Sequence, residues 1–171
     1  MNNPSELISK ATAIVGTDQQ VIAAGIFGLK DDYKAVGLGT VAGANVSDVL
    51  LDSPLAGAVG GAAGMHATRT ALAASQGLTV RMLVAITPER IRVLDWETGA
   101  GPTKELVSFN RPSTEVMISK FGLSRHVELH DSSSGKSLAL SGSTAPFASE
   151  SKGDKAVLKE ISASHSAGGN R

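Results

Sequence analysis

The chain has 171 residues, with 16 Lys and Arg against 16 Asp and Glu, 19 glycines, 4% aromatic residues and no cysteine. That length supports one hydrophobic core without staples, since a domain of about 150 residues buries roughly 70% of its unfolded surface. The balanced charge removes any global field that would draw the protein onto nucleic acid, and the missing cysteines exclude a disulfide scaffold, a thiolate zinc site and a Cys nucleophile.

The opening MNNPSE carries no basic segment followed by an apolar run, so the expected location is the cytoplasm. Pro4 to Val15 reads as a helix over an N-terminal region 1–19, with Pro in the first turn, Leu7, Ile8, Ala11 and Ile14 at helical spacing, and Gly16 as the stop. Gln20 to Phe27 reads as a first strand. The glycines then concentrate in a segment 35–76. Small residues recur at every fourth position there, as Ala35, Gly39, Gly43 and Ser47, and again as Ala56, Gly60 and Gly64 with the offset pair Gly57 and Gly61. Between these arms, Ser53 and Pro54 form a cap and first-turn pair. The pattern predicts a helical hairpin whose glycines each cost about 1 kcal/mol relative to Ala, a cost that close helix approach must offset. Gly39, Gly43, Gly57, Gly60, Gly61 and Gly64 are therefore the candidate self-association residues.

Downstream, Thr79–Ile86, Arg90–Asp95, Glu105–Phe109, Thr114–Phe121, Ser124–His130 and Lys136–Ser141 have strand length and are separated by turn residues. An antiparallel meander is expected. Val80, Met82, Val84 and Ile86 alternate with Arg81, Leu83 and Ala85, which predicts one core face and one wet face. Val157, Leu158 and Ile161 share one side of a closing helix over Asp154–Ser162. Residues 163–171 have the composition of a disordered tail.

This order of strand, long insertion, six strands and helix resembles the pleckstrin-homology-like domains of bacteria. The similarity rests on Val84-Ala85-Ile86-Thr87-Pro88-Glu89-Arg90-Ile91, which looks like the Thr-x-x-Arg strand-turn-strand of actinobacterial members, and continues through Trp96, Arg111, Phe121-Gly122-Leu123-Ser124 and Asp154-Lys155-Ala156-Val157-Leu158. It covers roughly Val21–Phe27 and Leu78–Ile161. The resemblance implies an α+β fold over 20–162, an antiparallel barrel or meander of about seven strands with a C-terminal helix. It also implies a binding or assembly role, not catalysis. Relatives that hold inositol phosphates carry basic residues around the first interstrand loop. Here Lys30, Lys34, Arg69 and Arg81 are interspersed with Asp31, Asp32, Asp48 and Asp52, so that ligand is not carried over.

The remaining motifs are weighed on their chemistry. Gly135-Lys136-Ser137 ends like a phosphate loop, but His130 stands where the first glycine belongs and a strand follows in place of a helix, so a hairpin turn is expected. Gly37-Leu38-Gly39-Thr40-Val41-Ala42 fits a dinucleotide fingerprint without the parallel strands that give it meaning. No cofactor is expected. His126, Glu128 and His130 alternate along one strand face and are the candidate metal ligands, set against the reading that they form a solvated face. His66 reads as a surface or interface residue, and Trp96 as core or rim packing. No G-x-S-x-G elbow or assignable acid–base partner exists, so no catalytic residue is named. Neither arm of 35–76 reaches about 20 apolar residues without a charge, which favours self-packing over spanning a bilayer. The expected protein is a noncatalytic interaction module, a homo-oligomer with an unidentified protein partner. A membrane-peripheral adaptor anchored by the glycine-rich hairpin is the alternative, and an uncharacterised enzyme or metal-binding protein the second.

Overall fold

A computed structural model describes residues 3–30, 70, 73–74, 77–146 and 150–168, with side chains of the last helix to residue 163. The candidate self-association residues Gly39, Gly43, Gly57, Gly60, Gly61 and Gly64, the fingerprint-like run 37–42 and His66 lie outside the described residues.

Helix α1 spans Pro4–Val15. The Asn3 side chain caps it by accepting from the Ser5 N–H at 3.3 Å, and Gly16, at φ 97°, ends it with an N–H donated to the Thr12 carbonyl at 2.9 Å. The strands are β1 (Ala23–Leu29), β2 (Arg81–Ile86), β3 (Arg90–Asp95), β4 (Glu105–Asn110), β5 (Thr114–Phe121), β6 (Ser124–Asp131) and β7 (Lys136–Ser143). A 3-10 turn at Arg111–Ser113 joins β4 to β5, and helix α2 runs Ser151–Gly168. It therefore starts three residues before the expected Asp154 and takes in most of the stretch assigned to a tail.

All pairings are antiparallel, in the order β4-β3-β2-β1-β7-β6-β5. The fold is thus α+β, a seven-stranded antiparallel sheet with a helix at either end of the described chain. One continuous core joins Val84, Val93, Val107 and Phe109 from one end of the sheet to Val127, Leu129, Leu138 and Leu140 from the other. Strands β4 and β6, far apart in sheet order, also touch. The sheet therefore curls around that core, and Val157 and Ile161 of α2 enter it.

The expectation of one wet face fails on β2. Leu83 and Ala85 are fully buried, because α1 lies on the outer face of β1–β3 and forms a second core of Leu7, Ala11, Ala24, Ile26, Leu83, Ala85, Leu94 and Trp96. Alternation cannot distinguish a solvated face from one covered by a helix that sits far away in sequence. Trp96 packs in this second core, with the Lys10 ammonium 5.4 Å from its ring centroid.

Two glycines set the seat of α2. A Cβ on Gly25 would lie 2.8 Å from the backbone of Gly153 and Asp154, and one on Gly153 would lie 2.7 Å from the Ala24 carbonyl oxygen. The first turn of α2 thus meets β1 backbone to backbone, a distance that no side chain would allow.

Candidate functional site

That close approach delivers Asp154 to a seam in the sheet. β1 and β7 pair at Gly28↔Ser141 and Leu29↔Leu140, and the Lys30 N–H continues the contact by donating to the Ala139 carbonyl at 3.1 Å. In the other direction, the Ile26 N–H donates to Asp154 Oδ1 at 2.9 Å and the Ser143 N–H to Oδ2 at 2.8 Å, so one carboxyl bridges strands that have parted. Burial pushes the Asp154 carboxyl up to about 7 and nearby Glu150 adds to the rise, against the pull of the two N–H donors and Arg81. Arg81 pairs with Glu150, closing the group at the start of α2.

The other buried carboxylates also serve the backbone. Asp131 ends β6 and accepts from the Ser113, Ser133 and Ser134 hydroxyls, each at 2.7 Å, and from the Ser133 N–H at 3.0 Å. Burial alone would raise its carboxyl, but these donors outweigh it and hold it well below the ordinary carboxylate range. Asp95 is likewise favoured as the anion: its desolvation is outweighed by the Thr103 hydroxyl and the N–H groups of Lys104 and Thr103. The Thr-x-x-Arg turn works through its threonine, whose Oγ1 accepts the Arg90 N–H at 3.0 Å. Arg111 fastens this turn to α2 by donating to the Thr87 carbonyl at 2.8 Å and the Glu160 carbonyl at 3.3 Å. These groups position strands and turns: Asp154 accepts from main chain, Asp95 from main chain and one hydroxyl, and Asp131 from three hydroxyls and one N–H.

The sequence-derived candidates take separate partners. His126, Glu128 and His130 do share the outer face of β6, but Glu128 pairs with Lys30 at 2.7 Å, His130 Nδ1 lies 2.8 Å from the Ser137 hydroxyl, and the His126 ring stacks on Phe121 with centroids 6.0 Å apart. Among the described residues no three His, Asp or Glu side chains converge as a metal site. Gly135-Lys136-Ser137 lies in the β6–β7 hairpin, with Gly135 at φ 68° and Lys136 paired across from Asp131. An open cleft of about 360 Å³ is lined by Asp18, Gln19, Gln20, Thr87, Pro88 and Glu89. Its Gln19 is held by Arg92 at 2.7 Å and its Thr87 hydroxyl by the Arg90 backbone, so no activated nucleophile faces it.

The feature left without a structural task is the β5–β6 hairpin. Strand β5 lies at the edge of the sheet, and Val116 and Ile118 face the core side opposite Leu129 and Val127. Met117 is 66% exposed, Phe121 74%, Leu123 62% and Ile118 38%. Gly122, at φ 58°, makes the tight turn after Phe121, and the Leu123 carbonyl accepts from both the N–H and the hydroxyl of Thr144 at 2.8 Å. The tip is therefore held in shape while its apolar side chains stand in solvent. Lys120 and Arg125 face each other across the hairpin one step behind Phe121 and Ser124, and residues 116–127 contain no acid.

Reading the strands for alternation missed this site, because Met117 and Phe121 looked like ordinary strand residues. The available signal was apolar side chains on both faces of one strand, running on into its turn at Leu123, where polar residues usually sit. Among the described residues, no helix is long and apolar enough to cross a membrane. No family model matches the chain, and no curated protein does.

Proposed function

We propose that the chain is a noncatalytic docking module of pleckstrin-homology-like build, a curled seven-stranded barrel closed by its C-terminal helix. The strand order and the helix seated over β1 support the build. The observation that carries the function is the β5–β6 hairpin, where Met117 and Phe121 on the outer face and Leu123 in a turn anchored to Thr144 stand exposed. A contiguous exposed apolar patch bounded by charge is the usual mark of an interaction surface. The buried carboxylates and Arg111, by contrast, are taken up by main-chain groups and neighbouring hydroxyls, and no acid, base and nucleophile converge among the described residues. The small-residue stripes of 35–76 support self-association as a second, separate contact in the same protein.

Nile red, an uncharged dye that brightens in apolar surroundings, tests the docking surface. The intact chain should brighten it, and Phe121→Ser/Leu123→Ser should remove most of that signal while keeping the circular dichroism of the parent. Equal brightening by parent and variant would show that the tip is not a free apolar surface and would end the docking reading.

A further inference from the structure

The free edge of the sheet has the same pattern in both directions. About Met117 on β5, apolar Val116 mirrors apolar Ile118, and polar Glu115 and Thr114 mirror polar Ser119 and Lys120. Resting on the docking reading above, we propose that the partner of this surface is a second copy of the chain, which pairs β5 to β5 antiparallel across a two-fold axis at Met117.

The backbone is set for that pairing. The Ser132 N–H donates to the Ser113 carbonyl at 3.0 Å, which makes these two a hydrogen-bonded pair continuing the β5–β6 ladder. Hydrogen-bonded and non-hydrogen-bonded pairs alternate, so Val116, Ile118 and Lys120 direct their N–H and C=O groups away from β6, toward the open edge. Among the described residues β5 pairs with β6 alone. A two-fold axis normal to the sheet keeps outer face with outer face, so odd-numbered residues of one copy meet odd-numbered residues of the other, and even meet even.

Of the registers that this allows, the one centred on Met117 sets apolar against apolar at every central position. Met117 meets Met117 on the outer face, and Val116 meets Ile118 on the core face. Centring on Ile118 would set Val116 against Lys120 and Phe121 against Glu115, and centring on Val116 would set Met117 against Glu115. In the matched register Val116 and Ile118 exchange both N–H···O bonds between copies, and the two Met117 residues form a close pair with Cα atoms about 4.5 Å apart. A foreign strand needs no such mirror symmetry, whereas a two-fold contact must be complementary to itself.

Charge agrees with this placement. The two Glu115 side chains stand four residues apart along the joint, roughly 13 Å, and the two Lys120 side chains six residues apart, roughly 20 Å, so no like charges face each other. Glu128, the neighbour of Met117 on β6, is already paired with Lys30 at 2.7 Å. Pairing covers Met117 and Ile118, 66% and 38% exposed in the single chain, and occupies an edge whose open backbone groups would otherwise template aggregation. Phe121 and Leu123 lie past the central pairs and stay open to Nile red.

The chain has no cysteine, so single introduced cysteines report the register. Met117→Cys brings two thiols across the axis within disulfide reach, a Cα separation of about 4.4–6.8 Å, whereas Ser119→Cys leaves them about 13 Å apart. On mild oxidation of the full chain, Met117→Cys should link into a covalent dimer at least about 10-fold faster than Ser119→Cys. Ile118→Pro removes an N–H that faces the second copy and not β6, twice per dimer. It should weaken association, measured by sedimentation at up to about 1 mM protein, at least about 10-fold while keeping the circular dichroism of the parent. Equal linking at both cysteine positions, or none at Met117→Cys, would overturn the proposal, as would association that a folded Ile118→Pro leaves unchanged. If Ile118→Pro does not fold, the cysteine pair, placed at two exposed positions, decides the matter. Absence of self-association, while Phe121→Ser/Leu123→Ser still removes the Nile red signal, would overturn the second copy and leave the docking reading standing. Absence of both would overturn the docking reading as well.

Discussion

Replacing Asp154 with Asn tests the carboxyl that bridges β1 and β7. Asp154 is almost wholly buried and accepts the Ile26 and Ser143 N–H groups through its two oxygens. Its carboxyl is raised by burial to about 7 in the folded chain, from an ordinary value of 3.8. Below pH 4 both folded and unfolded chains hold the proton. As pH climbs from there to 7, the unfolded chain releases its proton first, so the folded state loses stability, and above 7 neither state holds it. Between pH 5 and pH 8 this linkage removes about 2–3 kcal/mol of folding stability from the wild type. Asn carries no titrating proton, so Asp154→Asn escapes that loss. It offers one acceptor and one NH₂ where two N–H groups need acceptors, and leaving one buried N–H unpaired costs about 1–3 kcal/mol. The wild type should therefore be the more stable protein at pH 5 by about that amount, and by pH 8 the gap should close. Urea denaturation of both proteins across this range measures the difference, in which contributions common to both cancel. A gap that stays constant, or widens toward pH 8, would refute the argument that burial dominates the environment of this carboxyl.

Two further outcomes follow from glycine positions. Gly25→Ala places a Cβ 2.8 Å from the Gly153 carbonyl carbon and the Asp154 nitrogen. Because backbone on both sides must shift, the expected loss is about 1–3 kcal/mol, and an unchanged urea midpoint would contradict the backbone-to-backbone seat of α2. Gly60→Leu fills the small-residue stripe of 35–76 and should dissociate an oligomer seen by size exclusion with light scattering. A monomeric wild type, or an oligomer indifferent to Gly60→Leu, would remove self-association through that stripe.

Local chemistry alone located most of the elements. Asn3, Pro4 and Gly16 bound α1 because caps and a first-turn proline act within one helical turn. The expected strands from Thr79 to Ser141 all form, their ends shifted by at most two residues, because turn residues such as Gly122 and Gly135 sit at positive φ where the chain reverses. Most of the meander follows from these signals, since consecutive strands joined by short turns tend to pair antiparallel; the exception is β4 and β5, which are joined by the turn at Arg111–Ser113 but lie at opposite ends of the sheet.

The candidate site was not legible in this way. What covers a strand face depends on distant chain. Leu83 and Ala85 are buried because α1, some 70 residues earlier, lies across them, while Met117 and Phe121, of similar apolar character, stand exposed on the outer face of the edge strand β5, which no helix covers among the described residues. Asp154 looked like an ordinary first-turn acid. It became the bridge between β1 and β7 only because Gly25 and Gly153 let two backbones meet beside it. The sequence by itself therefore determined the elements, their order and their turns, all of which are encoded over a few neighbouring residues. Only the tertiary structure decided which faces are dry, which edge is free and which carboxyl is buried, because those depend on contacts between segments that the chain brings together after it has folded.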